Sequence, residues 1–184
     1  MSGAHGHGDH HGGNKGIALL ISVLALVLAF SETLGKGAQT NALSYNIEAS
    51  NLWAFFQAKT IRQTVLRTAA EEVQVSEKAS ESAKKQVDKW RDTAQRYQNE
   101  PETGEGRDQL MARAKAAEKK RDASLASYHH YEMASAAVQI AIVVASASII
   151  AAVPALVWLA GTLGVVGVVF CVIGFWFPTA VHLF

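Results

Sequence analysis

The sequence predicts an all-α integral membrane protein with three transmembrane helices and a long, coiled-coil-like helical hairpin between the first and second. Three observations carry this. The runs Ile17–Leu34, Ala136–Leu156 and Trp158–Phe177 contain no Lys or Arg, and Glu32 is their one acidic residue. Each is close to the length of about 20 apolar residues that a helix needs to cross a bilayer. Between the first two runs, Ala38 to Asn99 has no Gly or Pro and is rich in Ala, Glu, Gln, Lys and Arg, the residues that lose least on entering a helix. The stretch 99–106, with Pro101, Gly104 and Gly106, is the turn signal of that section.

Residues 1–15 form a Gly/His tail too polar to fold alone. Residues 16–35 are span one. A secretory leader is the alternative, since Ala29-Phe30-Ser31 is a small-x-small site, but the residues before the run offer His and Gly where a leader carries Lys and Arg. The reading is a retained anchor. Gly35-Lys36-Gly37 is expected to break or bend the helix at the membrane surface.

Residues 38–70 carry two apolar stripes. One is Leu43, Ile47, Ala54, Ala58, Ile61, Val65 and Ala69; the other is Tyr45, Ala49, Leu52, Trp53 and Phe56. With Trp53 and Phe56 as candidate contact residues, the segment reads as an interfacial amphipathic or intersubunit helix. The alternative is a core helix packing on the hairpin. Residues 71–135 read as an antiparallel hairpin turning at 99–106. Ala83, Val87, Trp90, Ala94 and Tyr97 follow a 4-3-4-3 spacing. Folding about Thr103 would set Tyr97 opposite Leu110, Ala94 near Ala114 and Trp90 opposite Ala117.

Spans two (136–156) and three (157–178) precede a short tail, 179–184. Span three repeats small residues at Ala160, Gly164, Gly167, Cys171 and Gly174, and span two at Ala134, Ala141, Ala145, Ser148 and Ala152. Small residues let membrane helices approach closely, so a tight hairpin and self-association through these faces are expected. Pro154 ends or kinks span two.

Averaged over the chain the composition looks soluble, at 49% hydrophobic and 18% charged with net charge +1. The average hides a partition: 15 of the 17 Lys and Arg residues lie between Lys59 and Arg121. Acidic residues are interleaved with them, so the basic excess of a nucleic-acid binder is missing. The lone Cys171 excludes an intrachain disulfide and a Cys-based metal cluster. Lys119, Lys120 and Arg121 flank span two, which places the middle section in the cytoplasm by the positive-inside rule.

His5, His7, His10 and His11, with Asp9, could bind Zn²⁺, Ni²⁺ or Cu²⁺, although a glycine-spaced tail imposes no geometry. His129 and Glu132 stand one helical turn apart just before span two. No metalloprotease, phosphate-loop, nucleophile-elbow or dinucleotide motif is present. No cofactor is expected.

Ile17–Phe30, Gly35-Lys36-Gly37-Ala38-Gln39-Thr40 and above all Asn46-Ile47-Glu48-Ala49-Ser50-Asn51-Leu52-Trp53-Ala54-Phe55-Phe56-Gln57-Ala58-Lys59-Thr60-Ile61-Arg62 resemble a bacterial family catalogued as domain of unknown function 4337. The resemblance covers nearly the whole chain and implies a bacterial membrane protein; it carries no activity or catalytic residue. The expectation is a non-enzymatic scaffold in the bacterial inner membrane. It would be embedded in lipid, homo-oligomeric, and able to present its hairpin to a protein partner complex. The alternative is a transport or metal-handling accessory that uses the His tail.

Overall fold

A computed structural model describes residues 11–76 and 80–180, with side chains from Lys15 onward. The described residues form four α-helices: α1 (His11–Val75), α2 (Glu81–Gln98), α3 (Arg107–Ala151) and α4 (Pro154–Trp176). Of these, α1, α3 and α4 are long and apolar enough to cross a membrane. The chain divides into two compact units. One joins the residues up to Asn41 with those from Ala123 onward; the other is Ala42–Asp122.

The first unit holds the apolar runs. Leu24, Val138 and Ala141 form its buried centre, with Leu20, Val27, Leu28, Ile142 and Leu163 around them. Large apolar side chains such as Leu19, Leu26, Phe30, Val143, Val165 and Phe175 face outward. An aqueous surface would not carry so continuous an apolar area, and a lipid one would. Buried hydroxyls are satisfied internally: Ser31 Oγ donates to the Tyr131 carbonyl at 3.1 Å and shares a second hydrogen bond with Ser135 Oγ at 3.1 Å.

Pro154 does end span two, because it opens α4 at a position where its missing N–H costs nothing. The reversal is made by Ala152, whose φ of 52° is left-handed, and Val153.

Gly35-Lys36-Gly37 does not break the helix, since α1 runs through it. A helical glycine costs about 1 kcal/mol relative to alanine. Gly35 is buried against α3, where a Cβ would stand in ordinary contact, 3.4 Å from Tyr131 Cβ.

The second unit corrects two further expectations. Ala38–Asn99 is not one helix: α1 stops at Val75 and α2 starts at Glu81. The start signal is Ser80, whose hydroxyl accepts the Ala83 N–H at 3.3 Å, followed by Glu81 in the first turn.

The expected pairing of 71–98 with 107–135 is also replaced. Leu110, Ala114 and Ala117 of α3 pack on Ala49 and Leu52 of α1, not on Tyr97, Ala94 and Trp90. Meanwhile α2 contacts the later turns of α1, with Arg91 donating to Gln74 and Gln63 donating to the Ala94 carbonyl. Both α2 and α3 therefore run antiparallel to α1. The 99–106 turn joins two helices of the same sense instead of reversing the chain.

Candidate functional site

In the Ala42–Asp122 unit the packed face of α1 comprises Ala49 and Leu52 with Trp53 and Phe56. Trp53 and Phe56 meet edge to face, with centroids 5.5 Å apart and planes at 85°. The indole Nε1–H donates to Glu118 Oε1 at 2.9 Å. These two candidate contact residues thus serve the core between α1 and α3. Trp90 is half-buried on α2 and stands apart from them.

Beyond Phe56 lies a polar cluster that the sequence reading missed. The Lys59 side chain is 6% exposed; its Nζ is 2.9 Å from Glu100 Oε2 and 4.0 Å from Glu105 Oε2. The ammonium also stands 5.3 Å from the Phe55 ring centre and 5.6 Å from that of Tyr97. Gln63, one turn on and only 2% exposed, donates to the Ala94 carbonyl at 2.7 Å and accepts from Arg107. Arg107 donates a further hydrogen bond to Gln98 at 2.8 Å and lies 4.9 Å from the Phe56 ring centre.

The cluster fastens α2, the 99–106 loop and the start of α3 to one face of α1. The signal available in the sequence was the pair Lys59 and Gln63 at i and i+4, in a sector that reads as solvated until the glutamates and Arg107 arrive from elsewhere in the chain.

The hydrogen bond from Lys59, with Arg96 nearby, holds the Glu100 carboxyl below the ordinary glutamate range, against the opposing effect of burial. A depressed folded-state pKa contributes stability that is present above the unfolded value and lost as pH falls through the folded one. Urea unfolding at pH 6 and pH 3 should therefore show a drop in midpoint at the lower pH. Glu100→Gln should start lower at pH 6 and fall less. An equal fall in both proteins would remove Glu100 from the effect.

The opposite face of α1 is uncovered. Leu43, Ile47, Ile61 and Val65 are 60%, 54%, 64% and 60% exposed. Asn51, Ala54, Ala58 and Thr68 are exposed on the same line. Ile47, Asn51, Ala54, Ala58, Ile61, Val65 and Thr68 follow a 4-3-4-3-4-3 spacing, the repeat of a coiled-coil seam.

The small residues of span three are occupied within the chain. Ala160, Gly164, Gly167 and Gly174 are all buried. A Cβ on Gly164 would meet Leu24 Cδ2 at 2.6 Å, and one on Gly167 would collide with Val138 and lie 3.2 Å from the Ala134 carbonyl. On Gly174 it would lie 3.0 Å from His130 Cβ. This seam binds α4 to α1 and α3 of the same unit, so its close contacts are intramolecular.

Of the tail histidines, His5, His7 and His10 lie outside the described residues, and His11 opens α1 with its side chain outside them. Among the described residues no group of three or more His, Cys, Asp or Glu could hold a metal ion. His129 Nδ1 is 3.7 Å from Glu132 Oε2, and His130 Nε2 is 3.2 Å from the Pro178 carbonyl.

These features define a helical protein with three segments suited to a membrane and a packed, charge-rich unit of helices besides. The family model of a domain of unknown function (DUF4337) matches residues 13–177, and the chain belongs to that family. No curated protein and no solved structure matches it.

Proposed function

We propose that the protein is a non-enzymatic, membrane-anchored helical scaffold that self-associates through the uncovered stripe of α1, with its middle section in the cytoplasm. The stripe carries the reading. It lies opposite the face that holds α2 and α3, and it keeps heptad spacing over seven positions from Ile47 to Thr68. Its occupant is a second copy of the chain.

In a parallel pair, Asn51, Ala58 and Val65 take the a positions and Ile47, Ala54, Ile61 and Thr68 the d positions. Asn51 then meets its own counterpart, the arrangement by which a single polar a residue fixes register. The flanks are compatible in charge, because Ser50 faces Phe55, Gln57 faces Arg62 and Thr64 faces Ala69. No like charges oppose.

Native mass spectrometry of the full chain in detergent tests this. The wild type should be at least dimeric. Ile61→Glu with Val65→Glu should weaken association by at least ~100-fold, since two carboxylates would be buried in the seam. Helix content should be retained, because both side chains are exposed in the single chain. A monomeric wild type, or an oligomer indifferent to the substitutions, would overturn the proposal.

A further inference from the structure

Between α1 and α3 of the first unit lies a cleft of about 330 Å³, at the level where both helices pass from apolar to charged sequence. Glu32, Lys36 and Gln39 line it from α1, and Tyr128 and Glu132 from α3. Its floor is closed: the Ser31 and Ser135 hydroxyls are bonded to each other, and Ser31 to the Tyr131 carbonyl. Gly35 also lines the cleft and contributes no side chain to fill it. The rim groups are less committed. Among the described residues Glu32 has one hydrogen-bond partner, Gln139 at 3.5 Å, Glu132 stands 3.7 Å from His129, and Lys36 has no carboxylate partner.

Two carboxylates and one ammonium around a cleft ask for a ligand with both signs of charge. On the apolar side of this level α1 and α3 expose side chains such as Leu26 and Ile140. Tyr128 supplies the half-wet ring found at headgroup level. We propose that the cleft seats the headgroup of a phospholipid bearing a primary ammonium. The phosphate diester lies against Lys36, and the ammonium donates to Glu32 and Glu132. A trimethylammonium headgroup cannot donate those hydrogen bonds, and a phosphoglycerol headgroup brings no cation to the carboxylates.

The test is lipid retention by the delipidated full chain in detergent. It would be titrated with phosphatidylethanolamine, phosphatidylcholine and phosphatidylglycerol of matched acyl chains and read by native mass spectrometry. Phosphatidylethanolamine should bind about tenfold more tightly than either competitor. Glu32→Gln with Glu132→Gln should abolish that preference. Lys36→Gln should weaken phosphatidylethanolamine and phosphatidylglycerol alike. All three side chains are exposed, so the variants should keep the wild-type helix content. Water-soluble glycerophosphoethanolamine in tenfold excess should leave the lipid in place. Equal binding of the three lipids, a preference that survives the double substitution, or displacement by the soluble headgroup would each overturn the proposal.

Discussion

Gly167→Ala should destabilise the protein by about 1–3 kcal/mol, the usual cost of adding a methyl group to a filled core. Gly164→Ala should cost less. The two sites look alike in sequence, but their neighbours differ. At Gly164 the added methyl meets the end of Leu24, which can turn aside. At Gly167 it meets Val138, whose branched side chain sits on one strongly preferred rotamer in a helix, and the backbone carbonyl of Ala134. Relief there requires moving α4 off α3. Denaturant titration of the detergent-solubilised protein, followed by tryptophan fluorescence, would give the order. Leucine at 167 should leave no cooperatively folded protein. Equal costs at the two glycines would mean that α4 does not lie against α3 as described.

Gln63→Leu should cost a further ~1–3 kcal/mol, in the other unit. Leucine keeps most of the volume but returns nothing to the hydrogen-bond partners that Gln63 serves, and stranding buried polar groups has about that price. The Ala94 carbonyl and Arg107 are both affected. Arg107 is already strained in this respect, because its Nε is buried without a partner among the described residues. Since Gln63 is where α2 is fastened, amide exchange in Glu81–Gln98 should accelerate more than in the α3 turns around Leu110 and Ala114. Uniform acceleration across the unit would show that α2 and α3 unfold together and that Gln63 is no special tether. Lys59→Met tests the neighbouring fastening, and it should speed exchange at the 99–106 loop first.

The three long apolar helices were readable because an unbroken apolar run of that length leaves a chain few alternatives. Runs of that length in lipid are satisfied as helices, and Pro154 marks the break between two of them; the spaced small residues of α4 signalled close packing but not whether the neighbour is the same chain or another copy. The turn around Gly104, at φ 68°, was readable for a similar reason. The pairing of the charged helices was not. Ala94, Ala114 and Ala117 offer small, featureless surfaces that suit several partners equally. What decides among them is Leu110, Trp53 and Phe56 filling one cluster, and Gln63 and Lys59 reaching groups more than thirty residues away. The break between α1 and α2 was missed because its plainest mark is a serine, Ser80, that caps the start of α2, and not the glycine or proline that marks a breaker most plainly. Gly35 was misread in the opposite sense, since α1 continues through it, buried against Tyr131 of α3.

The junction of α3 and α4 bears on how the chain is made. Two residues, Ala152 and Val153, separate the helices, so α3 and α4 reverse direction in a tight turn. If the two apolar segments cross a membrane, they cross it as a pair of opposite direction joined by a tight turn, so their insertion is expected to be coupled. A ribosome that has released only α3 has delivered half of an insertion unit. The faces of Ala134 and Val138 that α4 will cover are then still open. If insertion is coupled in this way, a nascent chain stalled before Pro154 should be held by the insertion machinery longer than one stalled after Trp176, and equal retention of the two would show that the segments insert independently.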